Sequence, residues 1–532
     1  MKQNKLQLWL PLLLSVVMII GMVIGYKLRK DTVGDNTLLN NYNNTTISQV
    51  LTLIKKNYVD NINTDSLQLN AVNNLLLHLD PYSVYIPPTK RSEINDEKNG
   101  SFLGLGIGFE VINDSVYITD VTKGSPAYIA GVRQGDIFLD FNDSIKLSGP
   151  QKTTKGVANL IKELKSPLKI SIYRAQKSFT VNVKKEVLPI HSVDAAYMLD
   201  NKTAYIRLNT FSETTYKECM YALEMLKKKG MQQLIIDLRG NTGGVMTSAI
   251  EIANEFLQDQ QLIVYTQGAK TGKKEYRCKR DGLYTDLKLS VLIDETTASA
   301  SEILAGALQD WDRATIIGRR SFGKGFVENQ YKLNNGAALR LTVARYYTPL
   351  GRNIQKSYKS IETYKKELAT RFHNGETLLG DTASPKGKQF KTPKGRIVYG
   401  GGGITPDVSI PYDTTIISPL IAPLFLKGTL MKFAFIYYIN NVNSFAAVHS
   451  SAELNSILTP QKEIIWQSLN TYASADSISL ANVNSKTKEN ILEKFIAFIS
   501  KNKFGTSGYY EINNQHDEII NETMKLFNKA SK

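Results

Sequence analysis

Asp294-Glu-Thr-Thr-Ala-Ser-Ala-Ser-Glu302, preceded by the apolar run Ser290–Ile293 and followed downstream by Gly323-Lys-Gly325, decides which kind of domain the centre of this chain builds. The apolar run has the length and composition of a buried strand and the Thr/Ser-rich segment that of a turn. Ile303, Leu304, Ala307, Leu308 and Trp311 then recur with helical spacing. Small hydroxyl residues are thereby placed at a helix N-terminus, where backbone N–H groups lack acceptors and the helix dipole favours negative charge. A serine there stands where an oxyanion is stabilised. Such a serine also needs a base. None of the five histidines lies in this stretch, whereas Lys324 does, between two glycines that let the backbone bend tightly. Taken alone, the stretch reads first as a capped helix with a lysine downstream.

The flanking sequence extends the pattern. Ala204–Leu208 reads as a strand, and Tyr216, Cys219, Met220, Leu223 and Leu226 form one face of a helix that stops at Lys227-Lys-Lys-Gly230. Leu234–Leu238 is a buried strand running into Arg239-Gly-Asn-Thr-Gly-Gly244 and a helix carrying Val245, Ala249, Ile252, Ala253 and Phe256. The alternation continues through Leu262–Tyr265, Ser290–Ile293, the Ser299 helix, Thr315–Gly318 and Leu339–Val343, so a mixed α/β core with a largely parallel sheet is expected. The loops 240–244 and 296–299 then fall at equivalent ends of neighbouring units, where both can offer N–H groups to one carbonyl oxygen. A lysine, protonated near its ordinary pKa of about 10.4, becomes a base only when a desolvated pocket lowers that value. Gly318-Arg-Arg-Ser-Phe-Gly-Lys324 matches the start of a phosphate-binding loop, but Gly325 stands where Ser or Thr would hold magnesium, and Phe326 onward alternates like a strand. Nucleotide binding is not expected.

The 532 residues are 42% hydrophobic, enough for several cores, and the net charge of +16 comes from lysines spread along the chain rather than massed in one arm. Nucleic-acid binding is therefore not expected. Cys219 and Cys278 alone support neither a disulfide framework nor a Cys-rich metal site. Leu8–Tyr26 follows Lys2 and Lys5 and, at roughly 20 apolar residues, is long enough to cross a bilayer. With no Ala-x-Ala pattern after it, residues 1–30 read as an uncleaved anchor rather than the alternative, a cleaved signal, the rest of the chain being exported.

Residues 31–96 comprise an Asn-rich tether and two helical stripes, Ile47, Val50, Leu51, Ile54 and Tyr58, then Val72, Leu75, Leu76 and Leu79. Asp80-Pro-Tyr-Ser-Val-Tyr-Ile-Pro-Pro88 follows as an extended connection. Residues 97–188 change texture to short strands, glycine turns and a helix near Thr154–Leu164. Gly104-Leu-Gly-Ile107, Gly124-Ser-Pro-Ala-Tyr-Ile-Ala-Gly131 and Gly135-Asp136 resemble a PDZ domain. By that resemblance Gly104, Leu105, Gly106 and Ile107 present amides to a peptide's terminal carboxylate while the peptide adds a strand to the sheet edge. The core is expected over 189–411, with 352–403 as surface excursions rich in Lys, Gly and Thr. The extension 412–532 reads as helical; Lys427 and Lys432 inside Leu420–Ile439 argue for a buried helix of a water-soluble domain there rather than a membrane span.

Thr296-Thr-Ala-Ser-Ala-Ser-Glu-Ile-Leu-Ala-Gly-Ala-Leu308, Ser321-Phe-Gly-Lys-Gly325, Asp237-Leu-Arg-Gly-Asn-Thr-Gly-Gly244, Ala344-Arg-Tyr-Tyr-Thr-Pro349 and Asn57-Tyr-Val-Asp60 together resemble the carboxyl-terminal processing, or tail-specific, protease family, from about residue 45 to 411. The resemblance implies a crotonase-like α/β core with an inserted PDZ domain and a Ser-Lys dyad. Because the family's serine stands 25 residues before its lysine, and 324 − 25 = 299, it implies Ser299 rather than Ser301 as nucleophile and Lys324 as base. It further implies an oxyanion hole from the Ala300 amide and that of Gly243 or Gly244. Where the family carries a glutamine beside its lysine, this chain has Glu328, and an ionised carboxylate there stabilises the ammonium form. Glu328 protonated or turned away, or Gln330 in its place, would relieve that opposition. The implied activity is a serine endopeptidase acting on exported proteins with apolar C-termini at the bacterial cell membrane, with no metal or cofactor. An adaptor or a second copy is a further expected partner. The alternative is an inactive PDZ scaffold.

Overall fold

The computed structural model describes residues 15, 17–22, 45–149, 152–358, 360–373, 387–412 and 421–529. Most of Leu8–Tyr26 and of the tether lies outside the described residues, and among those described no helix is long and apolar enough to cross a membrane. The chain divides into two units, 1–79 and 80–532.

The first unit carries the two expected helices, Thr46–Asn57 and Thr64–Leu77. Asn63 caps the second, its Oδ1 accepting from the amides of Asp65 (3.1 Å) and Ser66 (3.0 Å). Ile47 and Val50 on the first and Leu75 on the second remain exposed, while Leu76 is buried.

The second unit is built on a sheet ordered Val193–Met198, Thr203–Leu208, Gln233–Asp237, Lys288–Ile293, Thr315–Gly318 and Val408–Ser409, parallel except for the first pair. Alternation along the strands sorts its side chains onto two faces. Ile206, Leu234, Ile236, Val291 and Ile293 share one core with the helices Thr215–Lys228, Met246–Asn254 and Ala300–Asp310. Tyr205, Ile235, Leu292 and Ile317 face the other way and pack with Ile519, Ile520 and Phe527 of the last helix, Glu518–Lys529. The C-terminal extension therefore covers one face of the central sheet.

Leu262–Tyr265 and Leu339–Val343, expected in the parallel core, belong instead to a second, antiparallel sheet of Val84–Ile86, Ala338–Tyr347, Leu262–Gly268 and Gly272–Arg277, with Phe326–Lys332 also paired to Ala338–Tyr347. The physical reason is that only one side is deeply covered: the strand Ala338–Tyr347 is buried at Ala338, Ala344 and Tyr346 and partly exposed between, as antiparallel sheets permit.

Within 352–403 the described residues are not only surface excursions. Arg352 and Ile354 are fully buried, Lys356 and Arg371 nearly so, and the stretch includes the helix Ile361–His373. Its cations serve as internal donors: Arg352 Nη2 reaches Asp310 Oδ1 at 2.5 Å and Gln309 Oε1 at 2.9 Å, and Arg371 Nη1 reaches the carbonyls of Arg320 (3.1 Å) and Ser321 (2.9 Å).

Residues 104–183 form a separate small barrel-like domain, its strands ordered Ile107–Ile112, Ser115–Val121, Ile137–Phe141, Leu168–Arg174 and Lys177–Val183 around Val116, Ile118, Phe138, Phe141, Ile170 and Ile172. Beyond residue 420, Leu420–Ile439 resolves into two helices, Ala422–Leu426 and Thr429–Asn440, joined by Gly428 in the left-handed conformation (φ 69°). Phe433 and Ala434 of the second share an all-helical core with Trp466, Leu469, Phe495 and Ile496. The long helix Ser485–Asn513 breaks at Gly505 (φ 73°, ψ −165°). Ahead of the break Asn502 O accepts from Gln134 of the small domain (3.1 Å); beyond it Tyr510 O accepts from Tyr197 of the central sheet (2.9 Å).

Candidate active site

Ser299 ends the turn after strand Lys288–Ile293 and caps helix Ala300–Asp310 with φ 56° and ψ −116°. A left-handed φ on a residue with a side chain costs about 1–3 kcal/mol and persists only where the surroundings over-determine it. Here they do. The Ser299 amide donates to Glu302 Oε2 at 2.9 Å, and its carbonyl accepts from Tyr346 Oη at 3.0 Å and from the amides of Glu302 (2.9 Å) and Ile303 (3.0 Å). The half-buried Ser299 is distinct from Ser301, whose wholly buried hydroxyl is occupied by Asn241 O at 3.0 Å.

Glu302 is the functional neighbour that sequence reasoning passed over. Its wholly buried carboxylate accepts the Ser299 and Lys324 amides on Oε2, both at 2.9 Å, and the Gly323 amide (2.7 Å) and Ser321 hydroxyl on Oε1. Burial pushes this carboxyl up to about 7 against the pull of those donors. One oxygen thus joins the backbones of the two candidate dyad residues. The signal in the sequence is the Ser-x-x-Glu spacing at the start of a helix, which marks a glutamate reaching back to the cap amide.

Lys324 lies in the loop between Thr315–Gly318 and Phe326–Lys332. Its ammonium sits 3.1 Å from Glu328 Oε1 and 4.4 Å from the centroid of the Tyr82 ring. Glu328 is therefore turned toward the lysine, while Gln330 is exposed on the strand opposite Arg340. Among the described residues no hydrogen bond joins Lys324 Nζ to Ser299 Oγ.

The two loops expected to face one another do so. A Cβ added at Gly243 would stand 2.7 Å from Ser299 Cβ and 2.9 Å from the Ala300 nitrogen, so only glycine permits this approach. Asn241, wholly buried, fastens the loops: its carbonyl accepts from the Ala298 amide (3.0 Å), its Nδ2 donates to Leu208 O (3.0 Å), and its Oδ1 accepts from the Gly243 amide (2.9 Å). The Gly243 amide is thereby occupied. The Gly243 carbonyl takes the Phe211 amide at 3.0 Å, and since a trans peptide sets C=O and N–H on opposite sides, the Gly244 amide faces away from Phe211. Ala300 heads the helix, where amides have no intrahelical acceptor.

Comparison with known proteins adds to this geometry. The profile of peptidase family S41 matches residues 202–362, and that of the PDZ domain matches residues 104–184. A carboxy-terminal-processing protease of Bartonella bacilliformis is 35% identical over 309 residues, covering 57% of this chain and 70% of that one. The chain belongs to the carboxy-terminal-processing protease family. It is a serine-type peptidase of family S41 that carries a PDZ domain. A probable CtpA-like serine protease of Staphylococcus aureus is 28% identical over 347 residues, covering 63% of this chain and 68% of that one. Among solved structures, the photosystem II D1 C-terminal processing protease aligns at 22% identity over 70% of this chain and 88% of that chain, with a TM-score of 0.37.

Within the PDZ domain, the carbonyls of Leu105 and Gly106 are taken up by the amides of Ala127 (3.1 Å) and Thr122 (3.0 Å). By the same trans-peptide geometry, the amides of Gly106 and Ile107 face away from those partners. Gly104 ends strand Ser101–Gly104, Leu105 is buried in the domain core, and Ile107 opens the edge strand Ile107–Ile112. An edge strand beside such a loop can accept one further strand.

Proposed function

We propose that this protease is an endopeptidase in which Ser299 is the nucleophile and Lys324 the general base. The observation that carries the reading is the Glu302 carboxylate, which binds the amides of both residues on a single oxygen at 2.9 Å. In the reaction, Ser299 Oγ attacks the scissile carbonyl carbon while its proton passes to neutral Lys324 Nζ; collapse of the tetrahedral adduct breaks the C–N bond, and the leaving amine takes that proton. Water, deprotonated by Lys324, then attacks the acyl ester and restores the Ser299 hydroxyl. The oxyanion is held by the amides of Ala300 and Gly244, the latter in preference to Gly243, whose amide Asn241 already uses. Gly104, Leu105, Gly106 and Ile107 receive the carboxylate of an apolar C-terminal tail. The substrates are exported proteins, and residues 8–26 hold the enzyme at the bacterial cell membrane, its bulk outside the cytoplasm.

The Lys324–Glu328 pair supports a second reading, a PDZ scaffold with a disabled dyad. Degradation of an unfolded substrate ending in apolar residues separates the two. Cleavage by the wild type, lost in Ser299→Ala and in Lys324→Ala by roughly a thousandfold or more, supports the peptidase dyad. Cleavage that survives either substitution removes it. Glu328→Gln, which removes the carboxylate paired with Lys324, is expected to raise the rate of cleavage. A wild type that binds tails but becomes active only as Glu328→Gln would establish the scaffold.

A further inference from the structure

The helical extension reaches the oxyanion loop through one carboxylate. Asp517, in the turn before the last helix, splits its two oxygens. Oδ1 accepts the amides of Ile519 (3.0 Å) and Ile520 (3.1 Å), capping Glu518–Lys529, and Oδ2 takes Arg239 Nη1 at 2.8 Å. Arg239 begins the glycine loop 240–244. Its Nε and Nη2 grip Asp237 Oδ1 (2.9 Å) and Oδ2 (2.7 Å), and its carbonyl accepts from Arg207 Nη2 (2.7 Å). Arg207 Nη1 also pairs with Asp237 Oδ2, at 2.9 Å. Asp237 is wholly buried, while Arg207, Arg239 and Asp517 keep about a seventh of their side-chain surface exposed.

Count the charges. Two guanidinium groups, Arg207 and Arg239, face the carboxylate of Asp237, with Asp194 also acting on Arg207 and Lys494 on both Arg239 and Asp517; the second carboxylate that Arg239 itself touches comes from residue 517, outside the segment 202–362 matched to the peptidase family. Leaving a guanidinium uncompensated in a poorly solvated site is costly, so loss of Asp517 would drive Arg239 to seek water. A shift of Arg239 is passed to the loop it begins, because its carbonyl is held by Arg207, which pairs with the same Asp237 carboxylate. The Gly240 amide donates to Asp294 Oδ1 and Oδ2, both at 3.1 Å, and the side chain of Asn241 sets the Gly243 amide.

We propose that Asp517 is a positioning residue for the oxyanion loop, acting through Arg239, so that the C-terminal extension is a working part of the catalytic machinery. The proposal rests on the assignment of loop 240–244 as half of the oxyanion hole. A loop misplaced by a fraction of an ångström weakens transition-state binding while leaving tail capture, built on Gly104–Ile107, untouched.

Asp517→Asn is the informative substitution, because asparagine caps a helix as well as aspartate does but carries no charge for Arg239. Full-length wild type, Asp517→Asn, Asp517→Glu and Ser299→Ala are compared on a tail-bearing unfolded substrate, with tail-peptide affinity and melting temperature measured alongside. For Asp517→Asn the expectation is a fall in kcat of about tenfold or more with KM and tail affinity changed by less than about twofold, partly restored in Asp517→Glu. Hydrogen–deuterium exchange over residues 239–245 should rise in Asp517→Asn, and this second measurement needs no catalysis. Unchanged exchange in the loop overturns the proposal, as does an unchanged kcat in an enzyme whose Ser299→Ala variant is dead. Activity persisting in Ser299→Ala would instead overturn the dyad, and the exchange result would still decide the role of Asp517.

Discussion

Three amides and a hydroxyl converge on the Glu302 carboxylate, and its burial determines how the site responds to pH. Its carboxyl is raised from 4.5 to about 7, so between those values the folded protein holds a proton that the unfolded chain has released. The stability this contributes is fully present below 4.5 and is lost as pH rises to about 7. Glu302→Gln, which does not titrate, should flatten that part of the stability–pH profile measured by urea unfolding. A profile for Glu302→Gln that still falls across the window would assign the effect to another group. The same substitution should lower kcat, because an amide nitrogen placed against donor N–H groups cannot replace a carboxylate oxygen. Glu302 shows the limit of local reading: its reach to the cap amide is written in the Ser-x-x-Glu spacing, but its contacts with Gly323 and Lys324 depend on a loop brought back by the fold.

At the scale of single elements, the helix Ile361–His373 braces the loop that carries Lys324 from behind. Arg371 donates Nη1 to the carbonyls of Arg320 and Ser321 and Nη2 to that of Gly402 (3.2 Å), while its Nε is held by Glu367 (2.6 Å). Arg371→Ala would take this donor from the Arg320 and Ser321 carbonyls, while Gly402 O keeps Arg320 and Glu367 keeps Lys356, and should cost roughly 3 kcal/mol, read as a lower urea midpoint. A change below about 0.5 kcal/mol, the usual size for surface sites, would mean the brace is not needed. This helix and its buried Arg371 were hidden in the sequence because Lys, Arg and Gly ordinarily signal solvated loops, and only tertiary partners such as the Arg320 and Ser321 carbonyls turn the cation inward. The strand–turn–helix around Ser299 was legible because every cue in it is local: an apolar run, small hydroxyl residues, then helical periodicity. Which sheet each strand joins was not, since Leu262–Tyr265 and Leu339–Val343 have the same apolar appearance as the strands of the parallel sheet.

For the molecule as a whole, the sheet is covered on one face by its own crossover helices and on the other by the extension. Removing residues 412–532 would uncover Tyr205, Ile235, Leu292 and Ile317, each now inaccessible, and the truncated chain should aggregate on size-exclusion chromatography. A monodisperse, active 1–411 chain would contradict this account of the extension. The same extension touches the PDZ domain at Gln134 and the start of the glycine loop at Arg239, so it contacts both the PDZ domain and the candidate catalytic centre. Ser299, activated by Lys324, is the proposed nucleophile of this enzyme. The most direct test of this is exposure to a serine-directed fluorophosphonate in the presence of a tail peptide, followed by mass spectrometric mapping of the labelled residue. A single adduct on Ser299, strongly reduced in Lys324→Ala, is the expected result; an adduct on Ser301, or labelling of Ser299 that is indifferent to Lys324, would remove Ser299 from that role.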